Sequence, residues 1–146
     1  MKFTNGYWEM KKNIKPGYAV EYIDHEVHGK ELTVYTTSKH YGNKGDTQDV
    51  VMLTLTLTSP MENVIRVGMT HFAGVLEKAP FVPVKQENPE VSITEDEQSI
   101  TYQSGTMRAV ISKLPNSWRI DFYEGDHFLT DTSYKNMAYI NIPVLL

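Results

Sequence analysis

Asp24-His25-Glu26-Val27-His28 packs two imidazoles and two carboxylates into five residues, and metal binding is the first chemistry such a cluster brings to mind. The helical zinc motif needs two His four apart, so that both rings leave one face of a helix. Here the spacing is three, on a segment that reads as a strand, and side chains on a strand alternate between faces. The two rings therefore diverge, and surface histidines beside a turn are the better reading. His71 stands alone before Phe72. A catalytic His needs a nucleophile and an orienting acid within reach, and no Ser lies in a Gly-x-Ser-x-Gly elbow. A histidine hydrogen-bonded at a sheet margin is expected instead.

The chain carries 18 Asp+Glu, and paired carboxylates could do glycoside chemistry. Asp121 and Asp126 flank one turn, and Glu95-Asp96-Glu97 make another. Both sets read as solvated, and a solvated carboxylate titrates normally. A working acid needs burial or a close like charge. No catalytic residue is assigned on these grounds. With no Cys in the chain, disulfides, thiolate zinc sites and cysteine nucleophiles are all excluded. Gly42-Asn43-Lys44-Gly45-Asp46-Thr47 matches no nucleotide fingerprint and reads as a turn-rich loop. No metal site and no cofactor are expected.

Aromatic rings offer a different chemistry. They are 11% of the chain, with nine Tyr, and sugars stack on flat rings flanked by polar groups. Tyr7, Trp8, Tyr41 and Tyr134 fall outside the strongest strand patterns. Trp8 and Tyr41 are the candidate substrate-binding residues. Trp118 alternates with core positions and is expected to pack inside.

The elements that would position these groups are strands. In Val51-Met52-Leu53-Thr54-Leu55-Thr56-Leu57-Thr58 the apolar residues share one face and the threonines the other. The same period of two marks Tyr18 to Val27, Glu31 to Thr37, Asn63 to Phe72, Val91 to Thr94, Ser99 to Gln103, Thr106 to Ser112 and Ser117 to Tyr123. His127-Phe128-Leu129 follows the turn Glu124-Gly125-Asp126. Lys39 to Asp49 reads as a polar loop, and Gly74 to Pro89, with three prolines, as a loop or edge. No window of helical period stands out. Eight or nine short strands divided by turns predict an all-β, antiparallel β-sandwich with little or no helix.

Composition narrows the function classes. The 146 residues fit one domain, spanning 1–146. The net charge of −4 makes a poor polyanion binder, so no nucleic acid is expected. No apolar run could span a bilayer, and the start, Met1 to Glu9, lacks the apolar core of a secretory signal. A cytoplasmic protein with no membrane partner is the expectation.

Several segments, taken in order, resemble one family. The opening Met1-Lys2-Phe3-Thr4-Asn5-Gly6-Tyr7-Trp8 resembles the start of bacterial α-xylosidases of glycoside hydrolase family 31. Val64-Ile65-Arg66-Val67-Gly68-Met69-Thr70-His71-Phe72-Ala73-Gly74 is similar to that family's strand ending in His-Phe-x-Gly. Ser104 to Lys113 and Trp118 to Thr130 resemble the next strand and hairpin.

The resemblance implies an N-terminal β-sandwich, galactose-mutarotase-like, that packs on a separate catalytic (β/α)₈ barrel. The barrel would supply two aspartates for the retaining, two-step route. None of the family's catalytic motifs lies in this chain, which is therefore expected to be inactive alone. The family's sandwich continues beyond this length, and the tail Asn141 to Leu146 departs from it, so an incomplete N-terminal domain is expected. Unpaired edges would then favour a homo-oligomer. The expected partners are the barrel and an oligosaccharide. The function so implied is a non-catalytic accessory domain, with a free-standing carbohydrate-binding module as the alternative.

Overall fold

A computed structural model of the chain describes residues 9–71, 86–133 and 135–141. In chain order the strands are β1 (Lys15–Tyr18), β2 (Glu21–His28), β3 (Glu31–Thr37), β4 (Met52–Thr58), β5 (Arg66–Thr70), β6 (Val91–Glu95), β7 (Ser99–Ser104), β8 (Met107–Ser112), β9 (Ile120–Glu124), β10 (His127–Thr132) and β11 (Ala138–Asn141). β2 to β5 form one antiparallel meander, and β6 to β10 form a second. β1 pairs with β11, Lys15 opposite Asn141. Among the described residues the only helical turn is a 3-10 turn at Lys44–Thr47. The all-β expectation holds.

The period of two builds the core. Leu53, Leu55 and Leu57 of β4 are fully buried, while Thr54, Thr56 and Thr58 stay half-buried on the outer face. Leu32 and Val34 of β3 lie opposite Leu57 and Leu55. From the second sheet, Ile100, Tyr102, Ala109, Ile111 and Ile120 join the same apolar cluster. The two meanders are therefore the two layers of a sandwich, each hiding one face against the other. Burying a side chain of Leu or Ile size contributes roughly 1.5–3 kcal/mol, so this shared layer dominates stability.

Tight turns set the register. In three hairpins a two-residue loop has glycine first: Gly29, Gly105 and Gly125, with φ of 61°, 56° and 55°. Positive φ at the first loop position is the type II′ pattern, whose twist matches that of the flanking strands. Polar bonds then tie the layers together. Tyr102 Oη donates to Lys30 O at 3.0 Å, and Ser59 Oγ donates to Ser104 Oγ at 2.8 Å. Asn63 Oδ1 accepts from Thr106 N at 2.7 Å, latching the β7–β8 hairpin to the β4–β5 loop.

The differences from the sequence reading lie at element ends. The expected strand from Tyr18 to Val27 is divided at Ala19-Val20. Ala19 N donates to Met137 O at 2.9 Å and Val20 N to Thr37 O at 2.8 Å, so the chain changes sheets there. The strand expected from Asn63 pairs only from Arg66, because Asn63 takes a turn conformation with φ 64°. The strand expected from Ser117 pairs only from Ile120, yet Trp118 is buried as foreseen, 6% exposed. Of the proline-rich segment, residues 86–89 are described and carry no strand. Phe72 and residues 74–85 lie outside the described residues.

Candidate functional site

The candidate metal cluster separates as the strand argument requires. His25 pairs across the ladder with buried Val34, on the inner face, while His28 pairs with Glu31. His28 Nε2 meets Glu26 Oε2 at 3.0 Å on the outer face. Among the described residues, no three His, Asp or Glu side chains converge as a metal set.

His25 departs from the expected surface position. Only 16% of its side chain is exposed, because β2 lies over β6 at the sandwich margin. Tyr22 Oη lies 2.8 Å from His25 Nδ1, and His25 Nε2 lies 3.5 Å from Glu95 Oε2. Lys113 Nζ donates to Glu95 Oε1 at 2.6 Å. The order Tyr–His–Glu has the connectivity of a proton relay, but its electrostatics oppose one. Burial first, then the charges of Asp24 and Glu95, push the Tyr22 phenol up, away from a nucleophilic phenolate. The Lys113 hydrogen bond holds Glu95 below the usual carboxylate range, so it is no proton donor near neutrality. The group serves as a polar clasp between sheets.

The other acids are also engaged. Asp96 accepts from Gln98 N and Ser99 N, both at 2.7 Å, and these bonds hold its carboxyl low. Arg119 Nε donates to Asp121 Oδ1 at 2.7 Å, and Asp131, opposite Asp121 across the ladder, lies 3.7 Å from Arg119 Nη2. The Asp121 side chain is 19% exposed, less solvated than expected, while Asp126 lies in open solvent 3.5 Å from Arg108 Nη2. His71 Nδ1 donates to Met52 O at 2.9 Å and its ring lies 4.1 Å from that of Tyr139, the sheet-margin arrangement foreseen.

Of the two sugar-stacking candidates, Trp8 lies outside the described residues. Tyr41 is half-buried, and its backbone N donates to Glu21 Oε2 at 3.1 Å. The same oxygen lies 3.2 Å from His40 Nδ1. A carboxylate only accepts, so the Nδ1–H of His40 donates, and among the described residues Nε2 meets no hydrogen-bond partner. Beyond Tyr41 the loop is satisfied internally. Asp46 Oδ2 accepts from Gly42 N at 2.8 Å and Asn43 N at 2.9 Å, and Asn43 Oδ1 accepts from Gly45 N. Those amides are spent on a capped turn, not on a phosphate cradle.

Beside this loop is a cleft that the sequence reading did not anticipate. Ala19, Val20, His40, Asn116 and Trp118 line a space of about 200 Å³. Three separate stretches meet there: the β1–β2 crossing, the loop after β3, and the turn before β9. Asn116 adopts φ 58° in that turn, closed by Ser117 N donating to Leu114 O at 3.2 Å. Trp118 lines this cleft although only 6% of it is exposed, its neighbours covering the rest. Only Pro115-Asn116 hinted at the site, as a turn holding the indole at the rim.

An α-xylosidase, XylQ, of Lactiplantibacillus pentosus is 31% identical over 140 residues, covering 96% of this chain and 18% of its own length. An α-xylosidase of Emericella nidulans is 26% identical over 149 residues, covering 96% of this chain and 19% of its own. No family model matches. The chain thus spans about one fifth of the length of these relatives. Among the described residues, no helix is long and apolar enough to cross a membrane. Over nearly its whole length, this β-sandwich is a relative of a one-fifth portion of the α-xylosidases.

Proposed function

We propose that the chain is the N-terminal, non-catalytic accessory sandwich of an α-xylosidase-like enzyme of glycoside hydrolase family 31. It would pack on a separate catalytic (β/α)₈ barrel and shape the substrate entrance, in the cytoplasm. The observation that carries this reading is the coverage: 96% of the chain against 18% of the Lactiplantibacillus enzyme. The electrostatics support it. Glu95 and Asp96 are held low by hydrogen bonds, whereas a glycosidase acid must be held high.

The test exchanges this chain for the matched fifth of the Lactiplantibacillus enzyme. The chimera should hydrolyse a chromogenic α-xyloside, while the purified chain should not. Turnover by the purified chain, abolished by Asp121→Asn or Asp131→Asn, would refute the reading.

Self-association belongs to the same proposal. β10 is an edge strand on which Phe128 and Leu129 are each 44% exposed. Apolar groups on an open edge are a template for pairing. Without its barrel the chain should sediment as a dimer or larger species at micromolar concentration. A clean monomer there, unchanged by Phe128→Lys, would count against it.

A further inference from the structure

We propose that the cleft between His40, Asn116 and Trp118 is a binding site for a single neutral pyranose ring. The choice of sugar rests on the carbohydrate reading above. The cleft itself does not depend on docking to a barrel.

Three features carry the inference. First is size. About 200 Å³ falls below the roughly 300–1,000 Å³ of sites for drug-sized ligands, so one ring fits rather than a chain buried along its length. Second is the wall. Ala19, Val20 and Trp118 are apolar lining residues, and pyranoses present C–H faces to such surfaces. Third is the rim. The exposed Asn116 carboxamide both donates and accepts. Among the described residues His40 Nε2 is the ring nitrogen without a partner, because Nδ1–H is committed to Glu21 at 3.2 Å. The polar groups of His40 and Asn116 beside apolar lining residues complement the hydroxyls and C–H face of a neutral sugar.

The site is held in place beforehand. Glu21 fixes both His40 and the Tyr41 backbone, at 3.2 and 3.1 Å, so the loop is anchored before any ligand arrives. Trp118 is 94% buried by its neighbours and cannot swing away. Binding would then require little ordering of the protein. Tyr41, put forward from the sequence as a stacking platform, is assigned here to anchoring the loop through its backbone.

The chain has two tryptophans, and this makes the test direct. In the full-length Trp8→Phe variant, Trp118 is the sole indole reporter. Titration with D-xylose and methyl α-D-xyloside should give a saturable fluorescence change with matching calorimetric heat. In that background His40→Ala and Asn116→Gly should each weaken binding about five- to tenfold, the loss of one hydrogen bond. Glycine at 116 keeps the left-handed backbone, and unchanged thermal unfolding would show that both variants fold. No heat with either sugar at near-molar concentration would overturn the proposal. Heat without a Trp118 response, or a response that survives both variants, would place the sugar elsewhere and overturn it as well. Neither outcome touches the accessory-domain reading, which fails only on the chimera and turnover results.

Discussion

Replacing Gly105 by Ala should destabilise the sandwich far more than the same change at Gly125. Both glycines open type II′ turns, at φ 56° and 55°, so both variants carry the left-handed strain of about 1–2 kcal/mol. Reduced freedom of the unfolded chain offsets roughly 0.4–1 kcal/mol in each. The surroundings differ. A Cβ at 125 meets nothing within 4 Å, whereas a Cβ at 105 would collide with Glu62 Cγ and with the Asn63 carboxamide. That group accepts from Thr106 N at 2.7 Å and from Thr106 Oγ1 at 3.1 Å. Pushing it aside breaks two bonds worth about 0.5–1.5 kcal/mol each. Gly105→Ala should therefore lose about 2–4 kcal/mol and Gly125→Ala about 1 kcal/mol. At roughly 2–4 °C per kcal/mol this puts the melting point of Gly105→Ala roughly 5–15 °C down. Urea titration and thermal circular dichroism read both quantities. Asn63→Gly should lose the latch by itself, and adding Gly105→Ala to it should cost less than Gly105→Ala does alone, with only the Glu62 contact remaining. Equal melting points for the two single glycine variants would refute the latch.

Other consequences are simpler to test. Leu55→Ala, at a fully buried core position, should lose about 2–5 kcal/mol in the same denaturation assay. Burial, with Glu31 nearby, pushes the Tyr102 phenol from 10.0 to about 12. The folded state therefore holds this proton after the unfolded chain has released it. Stability should be full below pH 10 and fall as pH rises from 10 towards 12, and Tyr102→Phe should flatten that slope. On the acid side, Glu95 and Asp96 titrate below their usual range, so their contribution is present above the ordinary carboxylate pKa and is lost as pH falls through the lowered values. Asp96→Asn should make acid unfolding less steep.

The strands were legible because one-sided burial writes itself as a period of two. Leu53, Leu55 and Leu57 alternating with threonine placed β4 to within a residue of its start. Glu31 to Thr37 matched β3 at both ends, since the Gly29 turn and Thr37 mark them. β11 was missed because its pairing partner, β1, lies more than a hundred residues away and contains Pro16. No local pattern reports so distant a pairing. The margin clasp was missed for a related reason. His25 looks like a surface residue in its own strand, and only the stacking of β2 over β6 brings Glu95 to it. Trp118 was rightly placed inside, but the cleft at its rim depends on three chain segments meeting, which no spacing encodes.

The pairing of β1 with β11 sets Lys15 beside Asn141. Met137 and Tyr139 pack this pair against the core, and the Tyr139 ring lies 4.1 Å from that of His71, so the pair is fastened to the sandwich. New termini could be opened at the Gly29 hairpin, with a short bridge joining the old neighbours, and the permuted chain would keep the same sheets.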